Sequence, residues 1–83
     1  METIRDVLNR LRWDPSADAD AVVLRIRVRH DGHEAVDEIA FAHVDHVLPE
    51  GVECRGGVFI PYHRVVAIHD RGRTLWPRGE GGG

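Results

Sequence analysis

The 83 residues bound the chain to one domain with a real but small core, which leaves no room for a cavity of cofactor size, and no cofactor is expected. The formal charge of −3 does not fit a protein that grips a long duplex by its phosphates, although it leaves a local phosphate site open. The apolar runs are too short for a membrane span, and the N-terminus lacks the basic and hydrophobic regions of a secretory signal, so a soluble, cytoplasmic protein is expected.

Thr3 followed by Asp6 reads as a helix cap with a carboxylate in the first turn. Ile4, Val7, Leu8 and Leu11 then recur at helical spacing, giving one short amphipathic helix. Asp14-Pro15-Ser16 stops it, because proline disfavours helical geometry in the residue before it. Residues 16–20 form an acidic loop. Val22, Leu24, Ile26 and Val28 alternate with Val23, Arg25, Arg27 and Arg29, the pattern of a half-buried strand with an arginine-lined outer face.

Asp31-Gly32 is a hairpin signal, since both residues tolerate the positive φ of a tight turn. A second strand is predicted from about His33 to Phe41. Residues 42–48 fit either a helical turn or a strand, and Pro49-Glu50-Gly51 turns the chain. Val52–Cys54 and Val58–Ile60 read as short strands around a glycine turn. Arg64–His69 alternates again, and Arg73–Trp76 supplies a last strand after Asp70-Arg71-Gly72. The sum is an α+β domain: one N-terminal helix packed on a curled antiparallel sheet of five or six short strands, with a small open barrel as its closed form. The domain is expected to span residues 1–78, with Gly79–Gly83 in a flexible tail, and no internal repeat is visible.

Candidate chemistry is concentrated in Ile60-Pro61-Tyr62-His63-Arg64-Val65 and Trp76, where a guanidinium fork, an imidazole and aromatic faces lie close in sequence. All 11 basic residues are arginine, so each positive charge can hold a phosphate at two points, although the codon bias of a GC-rich genome is the preferred explanation of the missing lysines. Arg64 would take a terminal phosphate, His63 would donate to it, and Tyr62 or Trp76 would stack on a base. The competing reading makes the same segment a rigid strand with Arg64 paired to a carboxylate at the core edge. Asn9, Arg12 and Trp13 offer an opposite wall to this site, yet Trp13 is read first as the large core residue that seats the helix.

Cys54 is the one cysteine, which excludes an internal disulfide, and it reads as a small apolar strand residue. His30-x-x-His33 and His43-x-x-His46 have zinc-like spacing but sit among ordinary turn residues, and no metal is assigned to them. No histidine is followed two residues later by serine or threonine, which disfavours two-histidine phosphodiester chemistry. Without lysine there is neither a nucleotidyl-transfer nucleophile nor a phosphate loop.

Val7-Leu8-Asn9-Arg10-Leu11-Arg12-Trp13-Asp14-Pro15, Ile60-Pro61-Tyr62-His63-Arg64-Val65 and Leu75-Trp76 resemble, in order and spacing over nearly the whole chain, the small RNA repair domains also called RNA cyclic-group end-recognition domains. The resemblance implies a role in RNA processing or repair, through binding of phosphate-bearing RNA ends, 2′,3′-cyclic phosphates among them. It also implies RNA ligase or phosphodiesterase modules as partners, since family members occur fused to such modules. Family members often carry an arginine-glycine pair where this chain has Arg29-His30-Asp31-Gly32, which leaves the equivalence of Arg29 open. Two other readings stand beside this one. They are a protein-interaction accessory module for a larger RNA-processing enzyme and a phosphodiesterase-type enzyme acting on RNA ends.

Overall fold

Thr3 and Asp6 close a reciprocal cap: the Asp6 N–H donates to Thr3 Oγ1 at 3.1 Å and the Thr3 N–H donates to Asp6 Oδ2 at 3.0 Å. Two otherwise unpaired donors at the helix start are thereby satisfied, and the bond from the Thr3 backbone holds the Asp6 carboxyl below its usual range. In this computed structural model, which describes residues 2–77, the helix α1 runs Ile4–Trp13. It ends at Asp14, whose Oδ1 accepts from both the N–H and the hydroxyl of Ser16. Ile4, Val7 and Leu8 are buried, and the apolar stripe read from the sequence is the packed face. The expected tail at 79–83 lies outside the described residues.

Seven strands follow among the described residues: β1 (Val22–His30), β2 (His33–Ala40), β3 (Val44–Val47), β4 (Gly51–Cys54), β5 (Val58–Pro61), β6 (Val65–Asp70) and β7 (Arg73–Trp76). They form two antiparallel sheets, one ordered β2-β1-β6-β7 and the other β3-β4-β5. The α+β class with an N-terminal helix is as expected, whereas the single curled sheet of five or six strands is replaced by two sheets that do not close into a barrel. The ambiguous residues 42–48 contain both of their alternatives, the end of a 3₁₀ turn and then a strand.

That turn is one of a pair. The chain leaves the larger sheet through a 3₁₀ turn at Phe41–His43 and returns to it through another at Tyr62–Arg64. Phe41 and Arg64, read from the sequence as strand residues, therefore belong to corners, where one hydrogen-bonding ladder is exchanged for another. The two corners share their backbone: Ala40 and Pro61 enter at φ −67°, ψ 139° and φ −68°, ψ 150°, while Val44 and Val65 leave at φ −85°, ψ 118° and φ −79°, ψ 120°. Against the expectation of no internal repeat, a short six-residue pattern underlies them, Ile39-Ala40-Phe41-Ala42-His43-Val44 and Ile60-Pro61-Tyr62-His63-Arg64-Val65.

The core lies between the helix and the sheets, with Val7, Leu8, Val22, Leu24, Val52 and Ile68 fully enclosed. It takes Val22, Leu24 and Ile26 from β1, so Val23, Arg25, Arg27 and Arg29 lie on the opposite, outward face. Asp31 at φ 51° and Gly32 at φ 80° make the tight turn that fixes the β1–β2 register, pairing Arg25 with Glu38, Arg27 with Val36 and Arg29 with Glu34.

Gly51 fixes the second corner. It pairs with Pro61, and a Cβ at this position would run into the Ile60 carbonyl oxygen, the Phe59 ring at 2.7 Å and Pro61 Cα at 2.8 Å. The Tyr62 N–H donates to the Glu50 carbonyl at 3.1 Å and the Tyr62 hydroxyl donates to the Leu48 carbonyl at 2.5 Å. These contacts moor the corner to the β3–β4 turn. Burial pushes the Tyr62 phenol above its ordinary pKa, which favours the protonated form that donates this bond.

Candidate functional site

The corner aims its three residues in two directions. Tyr62 is half-buried and turned toward the β3–β4 turn, while His63 and Arg64 are exposed. The β1–β6 ladder ends at Ile26 and Val65, so the corner that precedes β6 meets β1 where Arg27 and Arg29 follow Ile26. Arg27, Val28, Arg29, Glu34, His63 and Arg64 line one open groove of about 350 Å³.

Arg27, Arg29 and Arg64 form no ion pair with any described carboxylate. Glu34 stands opposite Arg29 in the ladder and lines the same groove, yet no ion pair forms between them. The expected alternative, Arg64 tied to a carboxylate at the core edge, is not what the structure contains. Three guanidinium forks and one imidazole outnumber a single carboxylate, which gives the groove a positive local field on a protein of negative net charge.

Tyr62 and Trp76 come together elsewhere. With Ile4, Arg5 and Pro49 among its walls, they line a second, more apolar cleft of about 570 Å³ at the start of the helix. Neither recess is lined by Asn9, Arg12 or Trp13. Trp13 is 78% exposed, which overturns its reading as a core residue: the helix seats itself through Ile4, Val7 and Leu8 one face away. Arg12 instead lies 5.9 Å from the centre of the Trp13 ring, a cation–π contact at the helix end.

Of the residues expected at the site, His63, Arg64 and Arg29 share one groove, and Tyr62 and Trp76 share the other recess. Sequence reasoning missed Arg27 and Glu34 as groove residues. Alternation placed Arg27 on the same face as Arg29, but the meeting of that face with the second corner depends on pairing between β1 and β6, where Ile26 meets Val65 39 residues later, and such pairing has no local signal.

Cys54 is buried on β4, and burial raises its thiol pKa. His30 faces His33 across the hairpin and lies 3.6 Å from Asp37, while His46 lies 3.8 Å from Glu53. Among the described residues no three or more potential metal ligands converge, so the two histidine pairs do not form a shared centre. No helix among the described residues is long and apolar enough to cross a membrane.

A two-sheet α+β domain with an arginine-rich groove beside a 3₁₀ corner is thus the class defined by fold and site. The family described as the MJ1316 RNA cyclic group end recognition domain matches residues 1–78, and the chain belongs to that family. Neither the curated proteins nor the solved structures yielded a match.

Proposed function

We propose that this chain binds the phosphate-bearing end of single-stranded RNA, a 2′,3′-cyclic phosphate included, in the groove between the end of β1 and the second corner, and that it serves RNA processing or repair in the cytoplasm. The observation that carries this reading is the convergence of Arg27, Arg29, Arg64 and His63 on one groove with no described carboxylate neutralising the arginines. Family membership supports the choice of RNA ends over other anions.

In this reading Arg64 holds two phosphate oxygens through its fork, and Arg29 and Arg27 add charge from the strand. His63 donates a hydrogen bond to the same phosphate from the exposed side of the corner. Tyr62 and Trp76 line the separate apolar recess and offer a face for a base outside the groove, and the Arg12–Trp13 pair, with Asn9 one turn earlier, offers a second stacking surface away from it. The chain acts as a reader, and an RNA ligase or phosphodiesterase partner performs the chemistry.

A second reading has one observation in its favour. Val58 and Phe59 stand 55% and 47% exposed on β5, an edge strand, where a partner protein could add a strand. The deciding experiment measures binding of short RNAs ending in 2′,3′-cyclic phosphate, 3′-phosphate or 3′-hydroxyl to wild type and to H63A/R64A. The expected result is a preference for a phosphate end that the double variant loses. Equal weak binding to all three ends would reject the end reader and favour the protein-interaction module.

A further inference from the structure

Resting on the reading of the groove as the seat of an RNA end, we infer that the outward face of the larger sheet carries the nucleotides that precede that end, so the chain binds a short single-stranded tract along β1. Val23, Arg25, Arg27 and Arg29 share this face, and the core draws on the other one. Alternate strand residues rise about 6.6–6.8 Å. An extended RNA strand can therefore meet successive guanidinium groups as it leaves the groove.

Register supplies the floor between these charges. Arg25 is paired on β6 with Ala67, a small residue, and Val23 with His69; Arg27 is paired on β2 with Val36, which is 45% exposed. His69 is in turn paired with Thr74 of β7. The track beyond the groove is thus Arg25, Ala67, Val36 and His69, with low walls and one fixed positive charge. Its carboxylates are Glu34 at the groove and Glu38, which lies 3.6 Å from Arg25. Arg25 Nε, the atom that faces Glu38, is enclosed and forms no hydrogen bond, but the side chains as a whole are 41% and 63% exposed, so the contact is weak and the exposed part of the guanidinium is open to a phosphate.

A duplex would need more charge than this face and the net −3 provide, whereas a single strand of a few nucleotides fits one row of arginines. The dimensions set a site that is filled by about three nucleotides, the terminal one in the groove and the others over Arg27 and Arg25.

The test compares RNAs of two, four and six nucleotides bearing the same 3′-phosphate, and the same lengths ending in 3′-hydroxyl, at several salt concentrations. Wild type, R25Q and H69A are used, both substitutions lying outside the groove. The expected result is that affinity rises from two to four nucleotides and then levels, with the log–log salt slope steepening by about 0.7 for each added phosphate contact. R25Q should weaken the four- and six-nucleotide RNAs about three- to fivefold, the range of an exposed charge contact, and leave the dinucleotide unchanged. H69A should weaken the longer RNAs without altering the preference for a phosphate end. Equal affinity and equal salt slope at all lengths would overturn the track while sparing the end site. Length dependence without discrimination between phosphate and hydroxyl would support the track and reject the end site.

Discussion

Arg64 is an exposed arginine without a described carboxylate partner on a corner held by the residues around it. Replacing it with alanine should cost binding of a phosphate-ended RNA roughly 10- to 100-fold, the range of a charge-assisted contact of about 1.5–3 kcal/mol. Lysine should restore only part of this, because a point charge does not reproduce the two-point fork. Titration of R64A and R64K with the same RNA checks both, and full rescue by lysine would reduce the role of Arg64 to bulk charge. His63 and Arg64 stood out as candidates because one short segment holds imidazole, fork and aromatic ring, and the structure puts both on one groove. Trp13 was misread for a physical reason: a large indole near a helix end usually serves packing, but smaller aliphatic side chains already fill this helix face.

Helix and hairpins were readable from local chemistry, in the Thr3–Asp6 cap, the alternation in β1 and the Asp31-Gly32 turn. The corners were not, since a 3₁₀ turn between two strands has no periodicity of its own and its sheet change depends on distant pairing. The corner that carries the groove depends on Gly51, and Gly51→Ala should destabilise the fold by about 1–3 kcal/mol through overpacking against backbone that cannot move aside easily. Urea unfolding would show this as a lower midpoint. Tyr62 gives the same corner a pH response. Its folded pKa is raised, so its contribution is fully present below the ordinary phenol value near 10 and is lost as pH rises through the folded value. Tyr62→Phe should flatten that alkaline loss while removing the bond to the Leu48 carbonyl, at a cost of about 0.5–1.5 kcal/mol near neutral pH. Stability measured from pH 8 to 11 for both proteins checks the sign.

At the scale of the molecule, one apolar cluster joins the helix, β1, β4, β5 and β6, so neither sheet has a core to itself. Heat should therefore unfold both together, with far-ultraviolet circular dichroism and tryptophan fluorescence following one coincident transition; separate midpoints would reveal independent sheets. The α+β class followed from counting elements, but the division into two sheets did not, because which strands pair is written in contacts across the chain and not in any one segment. The twin corners bear on how such a chain could diversify. Two bends of like geometry sit at different points along β1, and they differ at four of their six positions, Ala40-Phe41-Ala42-His43 in the first and Pro61-Tyr62-His63-Arg64 in the second. Because the backbone is alike at both, the path of the chain does not depend on which side chains the last two of these positions carry. On the proposed reading of His63 and Arg64, grafting Ala42→His and His43→Arg onto the first corner should raise affinity for a phosphate-ended RNA by exchanging two side chains, with no change of backbone.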